Sequence, residues 1–277
     1  MTIQHNTLLP QNFKSDVRPI WCPGCGDYAI LSALTKALAD LGRPRESFAF
    51  ISGIGCSSRI PAYTSLYGFH GVHGRALALA AGVKLARPEL TVIAAGGDGD
   101  GMSIGGNHFM HACRRNIDMT YLLMDNQVYG MTKGQASPTT DPSWRNSKLT
   151  PDGTGVAPVD PVRLALASGA NYIARAYAGT PNETAHMIVE GIRHPGFSLI
   201  HILSPCVTYR PEQREWKQWV HDSIESSVPD TMEDAMHSLA SDDGFTLGIL
   251  FQGSRPAYQP ARHVVSTLAE IEGKLAA

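Results

Sequence analysis

Apolar residues recur at helical spacing over residues 27–41, and Gly42 with Pro44 ends that run. Residues 48–51 form a short apolar stretch that passes straight into Ser52-Gly53-Ile54-Gly55-Cys56, the pattern of a strand ending in a loop. Residues 75–85 are alanine-rich and predict a helix stopped before Pro88. Residues 90–95 read as a buried strand leading into Gly96-Gly97-Asp98-Gly99-Asp100-Gly101. The spacing then predicts a helix over 102–115 and a strand over 119–124. A further helix (161–168), strand (172–176), helix (184–193) and strand (197–203) follow. Residues 1–20 read as an irregular arm. The chain from 207 onward is more polar and less regular.

Strands alternating with helices imply an α/β fold: a doubly wound, mostly parallel sheet covered on both faces. The expected organisation is a domain over residues 1–206 and an extension over 207–277 that covers it or binds a partner. In such sheets ligands bind beyond the carboxyl ends of the strands. The loops 53–59, 96–101, 125–135 and 204–206 each follow an expected strand, so all four converge on one edge.

Composition narrows the function. The 277 residues are enough for one large domain or two modest ones, and 43% hydrophobic with 17% charged residues excludes a disordered chain or a coiled coil. Lys plus Arg number 23 against 25 Asp plus Glu, a net charge of −2 that argues against nucleic-acid or membrane-surface binding. No run approaches the roughly 18 apolar residues of a membrane span. The N-terminus lacks the basic start and apolar core of a secretory signal, which points to the cytosol. Residues 210–219 (RPEQREWKQW) mix charges and read as a solvated helix face. In that segment Trp216 and Trp219 fall on one side and suit packing.

Glycines between a strand and a helix allow close approach of a diphosphate, and the helix N-terminus offers free N–H groups. Asp98 and Asp100 would repel that anion unless a cation such as Mg²⁺ bridged them. A glycine-rich turn capped by aspartates is the alternative. Residues 100–125 separate Gly99 from Asn126 in Asp125-Asn126-Gln127-Val128-Tyr129-Gly130. That interval fits one helix plus one strand, which returns Asn126 beside Asp98.

The five cysteines are an odd number and fit poorly with a disulfide framework. Cys22 and Cys25, in Trp21-Cys22-Pro23-Gly24-Cys25-Gly26, can grip one metal centre from a turn. Cys56 and Cys206 each follow a strand at the edge that carries the glycine loop. Four thiolates suit structural zinc or a [4Fe–4S] cluster, and spacing does not separate the two. Cys113, within an expected helix, suits a buried apolar position.

The Gly-Asp-Gly loop followed at that interval by asparagine resembles the signature of thiamine-diphosphate enzymes. That resemblance implies Asp98, the Asn126 side chain and the Val128 carbonyl as Mg²⁺ ligands, with Gly99, Asp100, Gly130 and Met131 at the diphosphate. The ordered motifs WCPGCGDYAI, GIGCSSRIPAY, HGRALALAAGVKLARP, GDGDGMSIGGNH and DNQVYGMTKGQASPTT resemble the β subunit of 2-oxoacid:ferredoxin oxidoreductases, and most closely the 2-oxoglutarate type.

The resemblance spans roughly residues 13–210. It implies a thiamine diphosphate-binding fold and a [4Fe–4S] cluster on Cys22, Cys25, Cys56 and Cys206, which favours iron over zinc. Ile54, Gly55, Cys56, Ser57 and His73 join the implied cofactor site. The implied reaction converts a 2-oxoacid, coenzyme A and oxidised ferredoxin to acyl-CoA, CO₂ and reduced ferredoxin, or the reverse as reductive carboxylation. No glutamate occurs in these motifs. In the family the activating glutamate comes from the α subunit, so the active form implied is an assembly with that subunit, as α₂β₂. With only Cys113 to spare, this version carries one cluster and passes electrons to external ferredoxin.

Lesser candidates remain. Arg59 suits a substrate carboxylate or a surface salt bridge. His73 is matched by a family histidine near the phosphates, with a capped loop histidine as the alternative. Lys133 and Gln135 lie where phosphate or substrate would be touched, and Lys133 stands where pyruvate-type relatives carry glycine, which favours a dicarboxylic oxoacid. Thr139 and Thr140 read as loop caps. A non-oxidative thiamine-dependent decarboxylase and a zinc-stabilised structural subunit are the competing readings.

Overall fold

Alternate residues of the first strand serve opposite layers, as period-two geometry requires. Phe48 and Phe50 enter one hydrophobic core, Ala49 and Ile51 the other. In the computed structural model, which describes residues 8–145, 147–223, 227–259 and 272–273, this pattern extends across one sheet. Its strands are β1 (Phe48–Ser52), β2 (Tyr67–His70), β3 (Thr91–Gly97), β4 (Met119–Asp125), β5 (Tyr172–Tyr177), β6 (Phe197–Leu203), β7 (His221–Asp222) and β8 (Thr246–Gln252). They lie in the order β2-β1-β3-β4-β6-β5-β8-β7. Every pairing is parallel except β5 with β8. The α/β expectation holds.

Helices Asp27–Asp40 and Pro181–Arg193 cover one face, and Ala76–Ala86, Gly106–Arg115 and Pro161–Ala167 cover the other. Strands β4, β5 and β6 are buried at every position, the expected state for strands with helices on both faces. Cys113 is fully buried in its helix.

The structure adds the edge strand β2, which the sequence reading did not foresee, and departs from that reading in three further places. The helix expected from residue 102 begins at Gly106, because Asp98–Gly101 is itself one helical turn and a Gly105 N–H bond to the Asp100 carbonyl (3.2 Å) closes a break between them. The polar C-terminal segment is more regular than its composition suggests. It contributes the helix Met232–Ala240 and strand β8, which pairs antiparallel with β5 across a bulge at Ile173/Ala174.

Residues 210–219 are not a solvated helix face. Pro211–Glu215 is a 3-10 turn leading into the helix Trp216–Trp219, and Arg210, Gln213 and Trp216 are buried. Their three-residue spacing is the period of a 3-10 helix, which a search at 3.6 residues per turn misses. Trp216 and Trp219 both pack edge-on to Phe245. Of the N-terminal arm, residues 1–7 lie outside the described residues, and Phe13 is buried against Phe48.

Candidate active site

Adjacent parallel strands β1, β3, β4 and β6 all end on one side of the sheet, so the loops after Ser52, Gly97, Asp125 and Leu203 meet there. Between them is a cleft of about 230 Å³ lined by residues 54–57, His73, 97–100, Asn126 and 128–132. Ile54, Gly55, Cys56, Ser57, His73, Asp98, Gly99, Asp100, Asn126, Val128, Gly130 and Met131 were all expected at the cofactor, and all line this one cleft.

The two aspartates of the glycine loop behave differently. Asp100 turns its carboxylate into the protein, where Oδ1 accepts from the Ile54 and Gly74 N–H groups (2.9 and 2.8 Å) and faces His73 Nδ1 at 2.8 Å. It therefore clamps three loops together. Its other oxygen is buried without a hydrogen-bond partner. Asp98 is 1% exposed, and burial followed by the charge of Asp125 pushes its carboxyl up. The Asn126 N–H group points at Asp98 Oδ1 (3.4 Å), and Asn126 Oδ1 accepts from the Val128 N–H (3.1 Å).

Gly99 is required by a neighbour that the sequence did not announce. A Cβ there would fall 2.3 Å from the Tyr129 ring, whose hydroxyl donates to the Gly99 carbonyl at 3.2 Å.

Behind Asp98 runs a buried polar chain. The Thr139 hydroxyl lies 2.8 Å from both Asp98 Oδ2 and Asp125 Oδ1. His201 Nε2 meets Asp125 Oδ2 at 3.0 Å, and Arg175 Nε donates to His201 Nδ1 at 3.3 Å, which fixes the ring proton on Nε2. Arg175 then forms a bidentate pair with Asp242, 2.9 and 2.8 Å, and donates to the Thr246 carbonyl at 3.1 Å. Thr139 is thus far more than a loop cap. Thr140 caps as expected, donating to the Gln127 carbonyl and accepting from the Ser137 N–H.

The cysteines come together against the same cleft. The Cys22–Cys25 turn closes through a 3.1 Å backbone bond, and Gly26 N–H donates to the Pro205 carbonyl at 3.1 Å. A Cβ on Gly26 would lie 2.7 Å from Ser204 Oγ and 3.0 Å from the Pro205 nitrogen, so only glycine lets this turn sit against the Cys206 segment. Trp21 Nε1 donates to the Cys56 carbonyl at 2.8 Å. A Cβ placed on Gly130, in the cleft wall, would stand 3.7 Å from both Cys56 Sγ and Cys206 Sγ.

Burial, then Asp27 and the neighbouring sulfurs, raises Cys56 to about 11. Cys25 rises for the same reasons, Cys206 rises chiefly through burial, and Cys22 adds to the field on Cys56 and Cys206. Asp27, raised to about 6 by burial, accepts from Ser204 Oγ at 2.9 Å. Among the described residues no three His, Cys, Asp or Glu side chains already surround a single ion point.

Other candidates lie outside the cleft lining. Arg59 Nε donates to the Tyr63 hydroxyl at 3.1 Å, and among the described residues it makes no salt bridge. Lys133 is exposed at the rim with φ of +80°, and Gln135 bonds back to the Thr132 carbonyl at 2.9 Å. Residues missed by the sequence reading are Tyr129, Thr139, His201, Arg175 and Gln213. Tyr129 and Thr139 stood inside the motif DNQVYGMTKGQASPTT, where Thr139 was read only as a loop cap; the other three stood in none.

Residues 53–202, which span the sheet edge and most of the cleft, match the family model of the thiamine pyrophosphate enzyme C-terminal TPP binding domain. The fold and cleft therefore define a thiamine diphosphate-binding domain. The chain is 48% identical over 196 residues to the 2-oxoglutarate oxidoreductase subunit KorB of Mycobacterium tuberculosis, covering 71% of this chain and 52% of that protein. It is 40% identical over 248 residues to the 2-oxoacid:ferredoxin oxidoreductase subunit beta of Saccharolobus solfataricus, covering 84% of this chain and 81% of that one.

Among solved structures, the 2-oxoglutarate:ferredoxin oxidoreductase of Magnetococcus marinus with 2-oxoglutarate, coenzyme A and succinyl-CoA bound superimposes with a TM-score of 0.88. That match has 40% identity and covers 99% of this chain and 93% of that one. The chain belongs to the β-subunit family of 2-oxoacid:ferredoxin oxidoreductases. It spans about half the length of the M. tuberculosis relative and just under two thirds of two further relatives, 64% and 65%. Among the described residues no helix is long and apolar enough to cross a membrane.

Proposed function

We propose that this chain is the thiamine-binding, electron-collecting subunit of a coenzyme A-dependent 2-oxoglutarate:ferredoxin oxidoreductase, a 2-oxoglutarate synthase. The observation that carries the reading is Gly130: it lines the thiamine cleft, and its α-carbon faces the sulfurs of Cys56 and Cys206 at once. A cluster on those sulfurs would share a wall with the cofactor. Named relatives and the M. marinus complex supply the choice of 2-oxoglutarate and coenzyme A.

The residues fit the groups. Asp98, the Asn126 side chain and the Val128 carbonyl form an all-oxygen set suited to Mg²⁺, and a divalent cation would offset the charge that burial and Asp125 make costly on Asp98. The Cys25, Cys56 and Cys206 thiols, raised first by burial and then by neighbouring charge, become thiolates together only around a cationic centre. The naming of relatives as ferredoxin oxidoreductases favours a [4Fe–4S] cage, in which each cysteine binds its own iron, over a single zinc ion.

Thiamine diphosphate, when bound, supplies the carbanion chemistry that releases CO₂ from a 2-oxoacid. This chain's part is to hold Mg²⁺ and diphosphate through Asp98 and Asn126, keep the loop shut through Asp100 and His73, and hold the electron exit at Cys22, Cys25, Cys56 and Cys206. The glutamate that activates the cofactor would come from an α subunit, in an α₂β₂ assembly that hands electrons singly to ferredoxin in the cytosol. With reduced ferredoxin in excess the same assembly would run as a reductive carboxylase.

Iron, acid-labile sulfide and zinc measured on anaerobically purified protein test the reading. About four iron and four sulfide per chain are expected; zinc without sulfide would overturn it. With the α chain present, 2-oxoglutarate should be oxidised in preference to pyruvate, and Asp98→Ala should abolish both activity and stabilisation by thiamine diphosphate.

A further inference from the structure

Gln213 is fully buried in the 3-10 turn Pro211–Glu215, in a stretch whose charged composition suggested solvent. Its carboxamide is used at both ends. Oε1 accepts from the Cys206 N–H at 2.8 Å, and Nε2 donates to the Asn126 carbonyl at 2.7 Å. One side chain therefore joins the loop after β6, which carries a cysteine, to the loop after β4, which carries the asparagine of the cofactor cleft.

The turn presenting it is itself held on both sides. Arg210 N–H donates to the Cys206 carbonyl (2.8 Å), Gln213 N–H donates to the Arg210 carbonyl (3.0 Å), and Arg210 Nη1 donates to the Gln127 carbonyl (3.0 Å). The Arg210 guanidinium also stacks over Trp144 at 4.5 Å.

The geometry points to Gln213 as a positioning residue that sets the register between the cofactor loop and the cluster loop and keeps the Cys206 amide from donating to the cluster sulfurs. The inference rests on the cofactor and cluster assignment proposed above. One end of the carboxamide donates to a carbonyl while the other accepts from an N–H, so glutamine satisfies two part-buried backbone groups on different loops. Hydrogen bonds to cluster sulfurs help set the reduction potential. An N–H already committed to Gln213 does not stabilise the reduced, more negative cluster, and this keeps the potential low, as delivery to ferredoxin requires.

Two substitutions separate the two ends. Gln213→Met fills the space with no polar atom: the Cys206 N–H becomes free to donate to sulfur and the Asn126 carbonyl loses its donor. The cluster potential should rise, and affinity for Mg²⁺-thiamine diphosphate should fall about tenfold, the worth of one net hydrogen bond. Gln213→Glu keeps an acceptor for Cys206 but turns an oxygen toward the Asn126 carbonyl. Affinity should fall at least as far while the potential does not rise.

The measurements are the midpoint potential from a redox titration followed by electron paramagnetic resonance, and thiamine diphosphate affinity by calorimetry, on the assembled complex. A wild-type complex without iron and sulfide would overturn the functional reading and this inference with it. A loaded wild type beside a Gln213→Met variant with unchanged potential and unchanged affinity would overturn this inference alone. If Gln213→Met fails to load its cluster, Gln213→Glu decides: unchanged cofactor affinity, or a raised potential, overturns it.

Discussion

Thr139 sits with its hydroxyl 2.8 Å from Oδ2 of Asp98, the carboxylate assigned to the Mg²⁺ site, and 2.8 Å from Oδ1 of Asp125. One hydroxyl has one proton to give. The two carboxylates therefore compete for it, which adds to the cost of charge on Asp98, already raised by burial and by Asp125. Removing the hydroxyl leaves two buried acceptors facing each other. Thr139→Val should cost the cofactor-free protein about 1–3 kcal/mol, and Mg²⁺ with thiamine diphosphate should shrink that deficit by neutralising Asp98. Thermal unfolding with and without the cofactor checks this; an identical deficit in both conditions would separate Thr139 from the Mg²⁺ site.

Gly26 permits the contact that brings the Cys22–Cys25 turn to the Cys206 segment, and its φ of −59° is open to any residue. The obstacle to alanine is therefore contact with Ser204 and Pro205 rather than backbone strain. Gly26→Ala should lose roughly 1–3 kcal/mol through overpacking, with iron and sulfide per chain falling well below wild type. Full cluster loading in a folded variant would show that the turn can move without cost.

Lys133 keeps a φ of +80°, a region that glycine occupies freely and other residues rarely adopt. Lys133→Gly should leave the fold no less stable, by relief of about 1 kcal/mol, yet raise the KM for 2-oxoglutarate about tenfold through loss of a charge-assisted contact. Pyruvate, which lacks the second carboxylate, should show an unchanged KM. Steady-state kinetics on both oxoacids in the assembled complex distinguishes this from a lysine that only decorates the rim.

The Arg175–Asp242 pair is almost fully buried, and breaking it from one side with Arg175→Met should cost about 3–5 kcal/mol. Burial alone would raise Asp242, but the hydrogen bonds and charge of Arg175 outweigh it and hold the carboxyl below its ordinary range. A depressed folded value means the pair contributes fully above the unfolded carboxylate value near ~4 and loses that contribution as pH falls through the lower folded value. Urea unfolding at about pH 7 and about pH 3 should therefore show a larger acid loss in wild type than in Asp242→Asn. Equal losses would mean the pair is not linked to protonation.

What the sequence disclosed and what it hid follow from the kind of signal each residue carries. The parallel strands and their glycine-rich loops show in hydrophobic runs and in punctuation by Gly and Pro, and these placed the residues 54–57, 97–100 and 126–131 on one edge. Thr139, His201 and Gln213 lie buried yet polar, and their importance comes from partners tens of residues away, which no local period records. Strand β8 was hidden by its polar surroundings and its antiparallel pairing. The solvated reading of residues 210–219 failed because burial there repeats every three residues.

The bidentate contact between Arg175 and Asp242 also sets an order of assembly. Arg175 emerges from the ribosome 67 residues ahead of the carboxylate that neutralises it. Until Asp242 arrives, the guanidinium cannot settle beside His201 without an uncompensated charge in the interior. The polar chain behind Asp98 can therefore close only after the segment carrying Asp242 and Thr246 has been made, so a chain cut short before Asp242 leaves the floor of the cofactor cleft unfinished.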